Sequence, residues 1–349
     1  MHERKISWGQ FMLLLFLSRI MHTMIFRFSD FTSGTPIMLG LVVTTVIEAV
    51  IALPAVLYYR NASQSPVREL AGKNSKWLGF LYSAYFTVIA GGTLALFAEF
   101  LRREFADTVS PVVAIVLLAA VAAYCGILGI EGIARAGTVI FWMFVALFFL
   151  MVSVSEGHFE WLNIRPLIPG DGKTLISYAV ESLSSAWWIP MLCILGEHMR
   201  RGAWKAAYGF LALKLAIIEL LLLLVTLVLW RYVGILGYPI FALGAYAKSD
   251  FIQRFDAINM LVWALNCALV VAVYIFISAK PSGKTKSASV FFAALASAFA
   301  VYEYKRGIRY DEAWFMWFKF TGIVLLGIAI PTAALILRTV RKKKGGYIQ

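Results

Sequence analysis

Hydrophobic stretches long enough to cross a lipid bilayer recur ten times along this chain, and that recurrence limits its fold more than any other feature. A helix needs about 20 mainly apolar residues to traverse the hydrocarbon. Lipid offers the backbone no hydrogen-bonding partner, so only helices and closed barrels can span it. The stretches predict helices over about 7–28, 36–59, 76–101, 110–128, 135–154, 176–197, 205–231, 256–278, 287–303 and 312–338. The segment 287–303 is short and rich in alanine, but without it the chain has no way back across the bilayer. The first run is longer than a signal-peptide core and lacks a small-residue cleavage site, so it reads as an uncleaved span. Composition agrees, with 61% of the 349 residues hydrophobic and 15% charged, against about half and a quarter in soluble chains. The expected fold class is an all-α membrane protein of ten transmembrane helices, with residues 1–349 forming a single transmembrane domain.

Lys and Arg collect on the cytoplasmic side of membrane proteins. With the N-terminus inside, 18 of the 32 basic residues fall in cytoplasmic segments, 11 in outer segments and three within spans. Both termini are therefore expected in the cytoplasm. The net charge of +13 comes largely from those loops and from the basic tail 339–349, which suits anionic membrane lipid. Nucleic acid is not implied, because the basic residues are not interleaved with stacking aromatics on a soluble face. Cys125, Cys193 and Cys267 all sit in apolar runs, so neither a disulfide framework nor a metal site is suggested. Motifs for catalysis or phosphate binding are missing, and His2, His22, His158 and His198 lie far apart. No catalytic residue, cofactor or metal is expected, and the chain is not read as an enzyme. Segments 155–175 and 232–255 have room for a short surface helix each.

The ten spans divide into halves at about 6–155 and 176–340. The second span ends Ile47-Glu48 to Arg60, the seventh Ile218-Glu219 to Arg231, with the same Glu-to-Arg spacing. An offset of 171 residues carries Glu48 onto Glu219 and Arg19 onto Pro190. Five spans per half means opposite insertion, the inverted-repeat plan of many secondary transporters, in which the first helix of each half tends to be interrupted. Pro190 lacks an amide hydrogen and frees a carbonyl in the sixth span, either as a kink or as a functional interruption.

Charges inside the spans define the candidate site, since each costs about 2.5–3.5 kcal/mol at mid-helix and calls for a partner or a wet cavity. At 1.5 Å per residue, Arg19 and Glu48 both lie roughly 16–18 Å above the inner boundary. They are expected to be close, either as a structural ion pair or with Arg19 also meeting a ligand carboxylate through its planar fork. His22 shares the face of Arg19. Ser184 and Ser185 either contact a ligand ammonium or bond their own helix carbonyls; Trp187 or Trp188 can wall a pocket. Lys214 and Glu219, five residues apart, should each pair with another helix. Lys319 is expected to snorkel outward, and Glu131 with Arg135 to form a structural i, i+4 pair at a helix end.

Two stretches carry a resemblance: Gly129-Ile130-Glu131-Gly132-Ile133-Ala134-Arg135 running on to Phe141, and Gly237 to Trp263 with Tyr238, Pro239, Phe241, Phe251, Arg254, Asp256 and Ile258. Together with the opening Ile6 to Gln10, they resemble the spore germination permeases, the B subunits of nutrient germinant receptors, within the amino acid–polyamine–organocation superfamily. The resemblance implies the five-plus-five transporter fold and residence in the spore inner membrane. It also implies recognition of a small nutrient, commonly an amino acid, alongside A- and C-type partner subunits. The rival reading is a secondary amino acid transporter driven by H⁺ or Na⁺ through Glu48 or His22. A scaffold that only supports its partners is a third.

Overall fold

The computed structural model describes residues 5–24, 34–62, 64–72, 75–105, 110–164, 172–199, 202–230, 232–233, 236–246, 255–307 and 313–345. Regular structure among them is helical, apart from one bridge between Ile6 and Met199. The helices are α1 (Trp8–Met24), α2 (Gly34–Ile51), α3 (Leu53–Asn61), α4 (Pro66–Ala71), α5 (Ser75–Glu104), α6 (Pro111–Leu128) and α7 (Ile130–Ser155). They continue as α8 (Gly172–Ser184), α9 (Trp188–Leu195), α10 (Ala203–Leu229), α11 (Pro239–Tyr246), α12 (Phe255–Ala279), α13 (Thr285–Arg306), α14 (Ala313–Gly322) and α15 (Ile330–Gly345). A π-helical segment, Ile323–Ala329, joins the last two.

Among the described residues, eight helical spans are long and apolar enough to cross a membrane, and the α2–α3 pair is a ninth, bent by 44°. Described α1 has 17 residues, just short of that length. The bend has a local cause. Pro54 stands in the first turn of α3, where its ring displaces the carbonyl of the preceding turn. The sequence pattern did not foresee this bend, nor the short α4. Of the two loops given room for a surface helix, one holds α11 and the other two 3₁₀ turns, Glu156–His158 and Trp161–Ile164. The second turn lends Asn163 Nδ2 and Glu160 N–H to the Leu227 carbonyl at the end of α10, where helix carbonyls lack their own partners.

Helices α5 and α12 and the α8–α9 span are the most deeply enclosed. Around them, small residues permit close approach, as is usual between helices in lipid. The alanine-rich span is such a case: Ala288, Ser289, Ala293, Ala296 and Ala300 are the buried side of α13, which lies on α5 and α6. The quoted stretches also seat helices. Gly129 turns α6 into α7 at φ +86°, a conformation open mainly to glycine. A Cβ at Gly137 would stand 2.8 Å from Leu14 of α1. Tyr238, Phe241 and Trp263 enclose Phe100 of α5 at 5.0–5.1 Å between ring centroids; Phe251 and Arg254 lie outside the described residues.

Gly196 ends α9 against Tyr59, whose hydroxyl donates to the Cys193 carbonyl at 2.7 Å. A Cβ at Gly196 would lie 2.5 Å from that ring. Gly196→Ala is therefore expected to lower stability by about 1–3 kcal/mol through overpacking, read as a lower thermal midpoint of the purified protein; an unchanged midpoint contradicts this packing.

Candidate functional site

The sixth span breaks at residues 185–187, and its hydrogen bonds show why. Pro190 has no N–H to offer the Ala186 carbonyl, which instead accepts from Ile189 N at 3.1 Å. Before the break, Ser185 N and Ala186 N turn back to the Ser182 and Leu183 carbonyls. That leaves the Glu181 carbonyl unserved by the backbone, and the hydroxyls of Ser184 and Ser185 both donate to it, at 2.7 and 3.3 Å. The two serines thus repair the helix end. Pro190 itself packs beside Gly327 of the π-helical segment. Helix α1 runs unbroken as far as Met24, so the interruption expected in the first span is not found among the described residues.

The expected Arg19–Glu48 pair does not form. Glu48 is fully buried and bonded at both oxygens: Lys214 Nζ donates to Oε1 at 2.8 Å and Trp188 Nε1 to Oε2 at 2.9 Å. Equal depth on consecutive helices was not sufficient, because Glu48 faces the neighbouring α10. Lys214 does find its acid on another helix, as its spacing from Glu219 required. Glu219, the offset partner of Glu48, is differently placed: its Oε1 is buried with no hydrogen-bond partner among the described residues. Lys319 does not snorkel. It is 2% exposed, and its ammonium lies 3.3 Å from Glu181 Oε1 and 5.3 Å from the Phe315 ring centre. Glu131 and Arg135 make their i, i+4 pair at 2.5 Å on the surface of α7.

Arg19 is 4% exposed and faces a small hollow lined by Arg19, His22, Thr23, Tyr178, Glu181 and Ser182. The free space is near the threshold for a single water. Arg19 Nη2 donates to Ser182 Oγ at 2.8 Å, and its Nε has no partner among the described residues. His22 Nε2 stands 3.7 Å from Glu181 Oε1 and its ring meets the edge of Trp187 at 5.2 Å. Trp187 in turn donates Nε1 to Tyr274 at 2.7 Å and to Ser18 at 3.3 Å. Of the side chains predicted for the site, then, Arg19 and His22 line the hollow, Trp187 backs it, and Glu48, Ser184, Ser185 and Pro190 serve neighbouring structure. Sequence reading missed Glu181, Tyr178 and Thr23. Glu181 carried a signal, an acid mid-way along an apolar span.

A second polar cluster lies at the other end of the broken span. Ser65 N donates to Glu197 Oε2 at 2.9 Å, Lys280 pairs with Oε1, and Arg68 stands 3.9 Å away. Ile6 N donates to the His198 carbonyl at 3.0 Å. These contacts close the bundle at the face where α1 begins.

A family model described as spore germination protein matches residues 36–291. The chain belongs to that family. Both quoted stretches lie inside the match. None of the curated proteins compared with the chain matches it. With the apolar spans, membership identifies this spore germination protein as an integral membrane protein.

Lys214 and Glu48 supply a test of the interior. Lys214→Met alone strands a buried carboxylate and is expected to cost about 3–5 kcal/mol, whereas Lys214→Met with Glu48→Leu costs clearly less. Thermal unfolding of both variants decides; a double variant as unstable as the single one means that the pair does not carry the fold.

Proposed function

We propose that this protein is the B-type subunit of a nutrient germinant receptor in the spore inner membrane, with both termini cytoplasmic. Ten helices in a five-plus-five inverted repeat would bind a small carboxylate-bearing nutrient and signal to A- and C-type partner subunits, without catalysis. Family membership supports the setting. The bent α2–α3 pair and α1, added to the eight apolar spans, support the count. The observation that carries the binding role is Arg19: buried at mid-helix with no ion-pair partner among the described residues, it faces a hollow beside a broken span. A guanidinium so placed is an open receptor for a carboxylate, which it holds through two parallel N–H bonds. Displacing Glu181 or Trp187 on ligand entry moves α8 or the break, and so gives partners a signal to read.

A second reading, a coupled amino acid carrier, draws on the unpartnered Glu219 Oε1, since Glu48 is saturated. Gradient-driven uptake of labelled amino acid by proteoliposomes holding this chain alone favours the carrier; ligand binding without uptake favours the receptor.

Arg19→Met is the direct test. Removing an uncompensated buried charge should raise ligand-free stability, on the order of 1–3 kcal/mol, while abolishing the thermal stabilisation given by small carboxylates. A variant that still responds to those carboxylates removes Arg19 from the site.

A further inference from the structure

We infer that the hollow selects a small carboxylate without an amino group, such as a 2-hydroxy acid, over the α-amino acid of the same shape, and that Lys319 sets this choice. The inference rests on the proposed ligand role of Arg19 and narrows it to a chemical class.

The argument is one of charge. Arg19 has a neutral hydroxyl, Ser182, as its hydrogen-bond partner, and no carboxylate. The acid at the hollow, Glu181, is already engaged: Lys319 Nζ lies 3.3 Å from its Oε1, and His22 Nε2 lies 3.7 Å from the same atom. Arg19 and Glu181 at the hollow, with Lys319 behind Glu181, together carry one surplus positive charge. A carboxylate cancels it. A zwitterion brings the same carboxylate with an ammonium that must also be housed. Drawn to the second oxygen of Glu181, that ammonium would leave one negative charge to serve two cations, beside Arg19. Like charges at such distances repel strongly where water is scarce.

Two further strong acceptors near the hollow are in use. Glu48 is bonded at both oxygens by Lys214 and Trp188. The Glu181 carbonyl receives two serine hydroxyls. Lys319 therefore occupies the place an amino acid's ammonium would want, with its stem buried and its charge held over Phe315. It acts as a specificity residue through Glu181, without itself lining the hollow.

Size does not confuse the comparison. The hollow must widen for any ligand larger than water, but lactate and alanine are nearly isosteric. The widening is common to both and cancels between them.

The test uses the full chain in lipid nanodiscs, with binding read by thermal shift and by Trp fluorescence. The probes are L-lactate, L-alanine, L-alaninamide and chloride. Lactate is expected to bind at least tenfold more tightly than alanine, and alaninamide, which has the ammonium without the carboxylate, not at all. Lys319→Met releases Glu181 and is expected to narrow or invert the preference in favour of alanine. Alanine binding as tightly as lactate to the unmodified protein overturns the inference and leaves Arg19 in its role. Chloride matching lactate overturns the assignment to carboxylates. Failure of every probe overturns the reading of the hollow as a carboxylate site and the inference with it. Should Lys319→Met not fold, the four-probe comparison on the unmodified protein decides alone.

Discussion

Uncompensated charge in hydrocarbon is the constraint from which the arrangement of this bundle follows. Among the described residues three cations stand inside the spans, and two of them are matched: Lys214 by Glu48 and Lys319 by Glu181. Each pair joins helices distant in sequence, α10 to α2 and α14 to α8, so that each acid fixes a contact that apolar packing alone would leave degenerate. Side chains in lipid gain little by exchanging hydrocarbon for protein, and polar contacts and close packing carry the choice of neighbour. Arg19 is the exception. Its cost is met in part by Ser182 and by whatever polar species the hollow admits.

The helices were legible because hydrophobic length is a direct physical requirement of crossing a bilayer. The family stretches were legible for a related reason: Gly129, Gly137 and the aromatic cluster about Phe100 sit where helices turn or touch, and such positions admit few residue types. The site was legible only in part. Arg19 and His22 stood out as polar groups in an apolar run. Their partners did not, because pairing depends on the rotation of each helix about its axis, which depth along the chain does not carry. Glu48 and Arg19 share a level and face different neighbours. Lys319 looked able to reach the interface, yet its acid on α8 lay nearer than water.

Serine pairs before a proline illustrate the same limit. From the sequence, Ser184 and Ser185 are equally suited to a ligand or to a frayed helix end. The backbone decides between them: once Ser185 N turns to Ser182, the Glu181 carbonyl needs a donor, and the nearest donors are those hydroxyls. The residue that gains is Glu181, whose main chain is held from one side and whose carboxylate is held by Lys319 from the other.

The broken span joins these elements into one device. Its first half, α8, packs on α2 and α14 and contributes three walls of the hollow. Its second half, α9, packs on α1, α3, α4, α12 and the π-helical segment, and leads into Glu197 and the cluster that closes the opposite face. The halves share α1 and, through Trp188 and Glu48, α2, and otherwise have separate neighbours; they meet at three residues whose backbone bonds are short-range turns. A span built this way can shift one half against the other without breaking a helix. Trp188 bonds the α9 side of the break to Glu48, and Trp187 bonds it to Tyr274 and Ser18. Two indole N–H groups, one from the break and one from the first residue of α9, thus tie the junction of the two halves to α1, α2 and α12.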